Sequence, residues 1–194
     1  MRTATIARKT AETEIFLTLN LDGTGIFKGG SGVGFFDHML NSLAVHSGFD
    51  LSLDCTGDLQ VDCHHTIEDI GIVLGKAISQ ALGDKAGILR YGTSFIPMDE
   101  ALARTVVDVS GRPFLVFEAA FADSRVGDMD SCMTKEFFRA VAFNAGLTLH
   151  MALLYGENTH HGIEALFKAF AHAMKEAVSF SESGEVLSAK GARE

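Results

Sequence analysis

Two short runs in this chain have the composition of metal-ligand cassettes. His64-His65-Thr66-Ile67-Glu68 returns 96 positions later as His160-His161-Gly162-Ile163-Glu164. On a helix, residues four apart share a side, so His64 pairs with Glu68 and His160 with Glu164. His65 and His161 point roughly 100° away from their neighbours. If two such helices face each other across a pseudo-twofold axis, each odd histidine completes the metal held by the other cassette. That grouping gives His64, Glu68 and His161 for one ion, and His160, Glu164 and His65 for a second. Neutral imidazoles with carboxylates suit Zn, Fe, Mn or Ni. A lone His-His-x-x-Glu is ordinarily surface or capping decoration, and the recurrence is what points to a dinuclear metal site.

Each ion needs further ligands. Asp37-His38, at the start of an expected helix, is the best extra source, although an N-terminal Asp followed by an ordinary histidine is the bland alternative. Glu136 occupies the matching region of the repeat, where a first-turn Glu is also favourable with the helix dipole. His46 is a weaker candidate. His150, in a strand between apolar residues, reads as partly buried, and His172 reads as exposed. Cys63 adjoins His64 but has no room in a set filled by nitrogen and oxygen. The glycines from Gly29 to Gly34 lack both the Gly-Lys-Ser/Thr and the GxGxxG spacing, so they read as a flexible loop beside the site. Arg90, Arg112 and Lys190 taken singly read as solvated basic residues.

The elements that position these groups follow a repeating order. Thr3 to Arg8 and Glu14 to Leu21 alternate like paired strands and turn at Asp22-Gly23. A helix is expected over 35–46, a strand over 50–55 and a long helix over 64–82, with Ile67, Ile70, Leu74 and Ile78 as its apolar stripe. The second half repeats this with strands over 91–96, 101–109 and 114–117, a helix over about 134–145, a strand over 147–154 and a closing helix over 160–178. Glu12 lies ten residues before Asp22-Gly23 and Glu100 ten before Ser110-Gly111, a weaker echo of the same duplication. The expected organisation is one catalytic domain over 1–194, made of two pseudo-symmetric halves of about 1–90 and 91–194 whose sheets pack on helices.

Composition narrows the function. At 194 residues the chain can bury a sizeable core. Hydrophobic residues make up 47% with no apolar run of membrane-spanning length, which indicates a soluble protein without a membrane partner. A net charge of −9 argues against nucleic-acid binding, which needs clustered Lys and Arg. Cys55, Cys63 and Cys132 form no CxxC and leave an odd count, which suits a reducing, cytoplasmic setting. The basic first eleven residues are too short for a transit peptide and read as a strand.

Five motifs, taken in order, closely resemble the imidazoleglycerol-phosphate dehydratase family of histidine biosynthesis. They are Phe36-Asp37-His38-Met39-Leu40, Asp62-Cys63-His64-His65-Thr66-Ile67-Glu68-Asp69, Met98-Asp99-Glu100-Ala101, Asp108-Val109-Ser110-Gly111-Arg112-Pro113 and Asn158-Thr159-His160-His161. The resemblance runs from Arg8-Lys9-Thr10-Ala11-Glu12-Thr13 to Ser188-Ala189-Lys190-Gly191. It implies an α+β fold of duplicated ββαβα-type halves, ribosomal protein S5 domain 2-like, in a monofunctional form without the fused phosphatase found in some members. It also implies two Mn(II) per active site and a homo-oligomer of 24 subunits with active sites between subunits.

By the same resemblance, one metal takes His38, His65, His160 and Glu164, and the other takes His64, Glu68, His161 and Glu136. Glu136 stands where many relatives carry His, and Ser42 stands where several carry a Gln near the substrate. Glu12 resembles the acid/base residue, with His65 and Glu164 beside it in the catalytic set. Arg90, Arg112, Ser188 and Lys190 resemble the phosphate grip, an arrangement of Arg fork and Lys point charge that suits a phosphomonoester. Glu12, His38, His64, His65 and His160 complete the substrate-binding set.

The implied reaction takes water from imidazoleglycerol phosphate to give imidazole acetol phosphate. The hydrogen to be lost sits on a carbon with no adjacent carbonyl, so enolate chemistry is closed. A metal-bound imidazolate that expels the neighbouring hydroxyl to give a diazafulvene is the expected route. A dinuclear metallohydrolase acting on a small phosphorylated substrate is the rival enzyme, and it would release phosphate. A metal-assembled shell without catalysis is the third reading, and it leaves Glu12, Arg90 and Arg112 idle.

Overall fold

The structure is a computed structural model, described here over residues 1–181. Its first half runs β1 (Thr3–Lys9), β2 (Thr13–Asn20), β3 (Phe27–Gly30), α1 (Gly34–Ser47), β4 (Asp50–Gly57) and α2 (His64–Leu82). The second half runs β5 (Tyr91–Met98), β6 (Ala101–Asp108), β7 (Phe114–Glu118), the short pair β8 (Arg125–Val126) and β9 (Met129–Asp130), α3 (Met133–Ala145), β10 (Thr148–Tyr155) and α4 (Thr159–Val178).

The two four-stranded sheets have the same plan. One is ordered β1-β2-β4-β3 and the other β5-β6-β10-β7. In each, the first two pairings are antiparallel and the last is parallel. The β8–β9 hairpin is the piece of the second half without a counterpart. Strand alternation puts Ile15, Leu17 and Leu19 of β2, and Ala101, Ala103 and Val107 of β6, on the inner faces. The helices cover those faces, and one continuous core joins both halves. At its centre Phe36, Phe137, Phe138 and Phe167 are fully buried, with ring centroids 4.8–6.3 Å apart. Each such pair contributes about 0.5–1.5 kcal/mol beyond burial. The α+β class and the duplicated plan agree with the sequence reading.

The helices do not pair as the cassettes suggest. α2 packs on α3 and α4 packs on α1, so each cassette helix lies against a non-cassette helix of the other half. At Gly71 of α2 a Cβ would come within 2.9 Å of the Phe137 carbonyl, and at Gly75 within 2.7 Å of the Val141 carbonyl. These two glycines let α3 lie on the α2 backbone.

Two local readings need correction. Gly29 and Gly30 end a strand and do not form a flexible loop. Gly29 has φ +87°, and a Cβ there would collide with the Leu53 carbonyl of the paired strand β4. Glycine is therefore required by the pairing, and the absence of side chains is what hid the strand. His150 is exposed, because β10 alternates and turns it outward between buried Leu149 and Met151.

Candidate metal centre

α4 starts at Thr159 because Asn158, in extended conformation before it, accepts from the His160 and His161 amides at 2.9 and 3.3 Å. α1 is capped from the β8–β9 turn, where Asp128 accepts from the Gly34 and Phe35 amides at 2.6 and 3.0 Å. With both starts fixed and the helices packed side by side, His38 of α1 meets the cassette of α4. Glu164 Oε2 lies 3.4 Å from His38 Nε2 and 3.2 Å from His160 Nε2. One donor atom from each of these three residues falls within 4.8 Å of the others. The edge of the Phe35 ring packs against His160, at 5.0 Å between centroids.

Glu164 is buried, and its other oxygen, Oε1, takes Lys168 Nζ at 2.6 Å. Burial pushes this carboxyl up, but the Lys168 hydrogen bond and charge outweigh it and the net shift is down. The result is an ionised carboxylate with one oxygen held and the other aimed between two imidazoles, which fits a divalent cation.

The second cassette is arranged differently. His64 Nε2 is 3.5 Å from Glu68 Oε2, and Arg139 of α3 reaches Glu68 Oε1 at 3.0 Å and Glu136 Oε2 at 2.8 Å. Glu136 and His38 each lie ten residues before a helix-ending glycine, Gly146 and Gly48. They are therefore equivalent positions, and the chain carries two related half-sites: His38 with His160 and Glu164, and Glu136 with His64 and Glu68.

The odd histidines go to acids of their own halves, which corrects the facing-cassette grouping within one chain. His65 Nδ1 contacts Asp58 Oδ2 at 3.0 Å, with Glu12 Oε1 3.6 Å from its Nε2. His161 Nδ1 contacts Glu100 Oε2 at 2.8 Å, with Asp99 Oδ2 3.7 Å from its Nε2. A carboxylate on Nδ1 fixes the tautomer that leaves the Nε2 lone pair free for a metal. Glu100 Oε1 also accepts from the Glu157 and Asn158 amides at 3.2 and 2.8 Å. The His161 contact, followed by the Asn158 amide, lowers the Glu100 carboxyl to about 2, and Glu100 in turn raises the His161 pKa. The Asp58 hydrogen bond raises the His65 pKa in the same way.

Other expected site residues lie elsewhere. Asp37 Oδ1 accepts from the Ser31 amide and hydroxyl, both at 2.7 Å, and so locks the turn before α1. Ser42 is buried in α1, one turn beyond His38, and makes no hydrogen bond with the described residues. Arg90 binds Asp108 at 2.7 and 3.1 Å. Arg112 is exposed in the turn after β6, next to Ser110 and Thr148. Both arginines thus sit at the Asp108 end of β6, whereas Glu100 and the α4 start sit at its Ala101 end. Seven strand steps separate the ends by roughly 23 Å. Ser188 and Lys190 fall outside the described residues.

Asp58, Lys168, Arg139 and Asp128 were not singled out from the sequence. Only the pseudo-repeat could have flagged any of them, and it does not, because none recurs in both halves.

A sequence model of the imidazoleglycerol-phosphate dehydratase family matches residues 31–174. The chain is 58% identical over 191 residues to an imidazoleglycerol-phosphate dehydratase of an Exiguobacterium strain, covering 98% of each chain. It is 56% identical over 193 residues to the Rhodopseudomonas palustris protein of the same name, again with 98% of each covered. Among solved structures, the Staphylococcus aureus imidazoleglycerol-phosphate dehydratase aligns with a TM-score of 0.84 at 43% identity, over 92% of this chain and 99% of that one. The Pyrococcus furiosus protein aligns with a TM-score of 0.83 at 35% identity, over 96% and 99%.

Proposed function

The chain belongs to the imidazoleglycerol-phosphate dehydratase family, and from that premise we propose that its two half-sites hold a pair of Mn(II) ions against the substrate's imidazole ring. The enzyme is a hydro-lyase of histidine biosynthesis that acts on imidazoleglycerol phosphate. The observation that carries the dinuclear reading is the repeated geometry of the ligand atoms: Nε2 of His38 and His160 on one carboxylate, Nε2 of His64 on another, and the Nε2 atoms of His65 and His161 turned toward the exposed Glu12 and Asp99 by acids on their Nδ1.

When bound, the metals would supply Lewis acidity that favours loss of the ring N–H proton, and the deprotonated ring is the better electron source for expelling the neighbouring hydroxyl. The chain's own residues do the rest. Glu12 Oε1, 3.6 Å from His65 Nε2, is exposed enough to reach substrate and moves the proton at the reacting carbons. His38, His160 and Glu164 fix one ion's position, while His64, Glu68 and Glu136 fix the other's. Arg112 and Arg90, with Ser188 and Lys190, hold the phosphate, which supplies binding energy remote from the bonds that change.

The arginines and the α4 start are roughly 23 Å apart along β6. A substrate spanning both therefore needs a second copy of the chain. Exposed Tyr91, Phe95 and Val106 on the outer face of the second sheet suit burial against such copies. A homo-oligomer of 24 subunits in the cytoplasm is the assembly proposed. No helix among the described residues is long and apolar enough to cross a membrane.

The test uses the native assembly. Chelation should abolish formation of the alkali-absorbing ketone from imidazoleglycerol phosphate, and Mn(II) should restore it at two ions per site. Full activity after complete metal removal would overturn the dinuclear reading, and phosphate release without ketone would favour hydrolysis instead.

A further inference from the structure

The seam between α1 and α4 carries a second pair of ligating side chains that the dehydratase site does not use. His38 and Glu164 meet at one level of the seam. Eight residues further along both helices, His46 Nδ1 and His172 Nε2 lie 3.3 Å apart, with ring centroids at 5.3 Å and planes tilted by 49°. At 1.5 Å of rise per residue, this second level is roughly 12 Å from the first. His46 is half-buried and His172 is exposed.

We infer that His46 and His172 form an auxiliary site for a borderline divalent cation such as Zn(II), Ni(II) or Cu(II), chelated by two imidazoles across the two halves of the chain. Three observations carry this. Two nitrogens 3.3 Å apart, each about 2.1 Å from a shared ion, subtend roughly 104° at it, close to the tetrahedral angle. The pair has no carboxylate, so it favours Zn, Ni and Cu over Mn, which prefers oxygen ligands of the kind Glu164 offers at the first level. Burial, then the charges of Lys168 and His172, push the His46 pKa down, which favours the neutral ring that a metal ion requires. The facing charges are Lys168, one turn before His172 and already paired with Glu164 at 2.6 Å, and Lys175, which reaches over Gly48 at the end of α1. The consequence is a staple, because an ion at this site ties the C-terminal part of α1 to α4 and so links the halves.

A hydrogen bond between two neutral rings gives the same spacing, so the experiment must count ions. The Mn(II)-loaded enzyme, its His172→Ala variant and its His172→Gln variant are dialysed against Zn(II), and bound zinc per chain is measured beside the thermal midpoint. The wild type should bind one equivalent more than either variant, and its midpoint should rise with Zn(II) where theirs does not. Mn(II)-supported turnover should be the same in all three, since His172 lies outside the dehydratase ligands. Failure of the dinuclear reading would show in manganese content, whereas failure here shows in zinc alone. Equal zinc equivalents in the wild type and either folded variant would overturn the inference.

Discussion

The two copies of the cassette keep their ligands and differ in what neutralises them. In the second half, Glu164 is 8% exposed and is held by Lys168 from its own helix, four residues on, which leaves Oε2 open between two imidazoles. In the first half, Glu68 is 30% exposed and shares Arg139 with Glu136, so a cation from a neighbouring helix lies between the two carboxylates. The two copies share their His-x-x-x-Glu pairs, while the electrostatic support of those pairs diverged. In the first half the Arg139 guanidinium sits on Glu68 Oε1 and Glu136 Oε2, while Glu68 Oε2 faces His64 Nε2.

The same divergence marks the acids beside the odd histidines, and it yields the largest expected effect. Glu12 and Glu100 both precede the second strand of their half, yet Glu12 faces Nε2 of His65 and Glu100 holds Nδ1 of His161. Glu12→Gln should cut turnover by on the order of 10²–10⁴, the usual contribution of a positioned acid/base, with manganese content unchanged. His65→Ala should lose manganese along with activity. If Glu12→Gln lost metal and kept its turnover per bound metal, the two glutamates would have the same supporting role and the contrast would collapse.

The carboxylates give the next effect. Glu164→Gln in the metal-free protein leaves a mostly buried Lys168 without its counter-charge and should cost about 1–3 kcal/mol of stability. Glu68→Gln leaves Arg139 still bonded to Glu136 in a partly exposed setting and should cost less than about 0.5 kcal/mol. Denaturant midpoints of the two variants measure the difference, and equal losses would mean that burial does not distinguish the halves.

How much of this was legible follows from which signals repeat. Helix α2 spans 64–82 as its apolar stripe indicates, because period and length agree there. Strand β3 was hidden because Gly29 and Gly30 carry no side chains to alternate. The β8–β9 hairpin was hidden because two-residue strands show no periodicity. At the site, the cassettes and Glu136 were visible through recurrence. The pairing of α4 with α1 was not, since it depends on how the helices pack across the halves. Arg139 and Lys168 were invisible for the reason that makes them informative: each serves only one copy.

Arg139 permits a smaller and sharper test. Arg139→Gln removes the cation from between Glu68 and Glu136, and a half-exposed charge of this kind is worth on the order of 1 kcal/mol. Mn(II) should bind the first-half cassette roughly fivefold more tightly, with binding at the Glu164 half-site unchanged, as read by paramagnetic titration. Weaker binding would show that Arg139 holds the two carboxylates in place for the ion and does not compete with it.

The smallest effect concerns pH. In the metal-free protein, Glu100 is lowered from 4.5 to about 2 by its His161 contact, so its stabilisation is present above pH 4.5 and fades as pH falls toward 2. His161 is raised from 6.5 by the same contact, so its stabilisation is complete below pH 6.5 and is lost as pH rises through the folded value. Both are fully present only between about 4.5 and 6.5. Thermal midpoints of the wild type and Glu100→Gln should therefore differ most in that window and less in alkali, where only the bonds of Glu100 to the Glu157 and Asn158 amides remain. A difference that persists undiminished at high pH would mean that Glu100 acts through its bonds to the Glu157 and Asn158 amides alone. The charge pairing of His161 with Glu100 would then carry no weight.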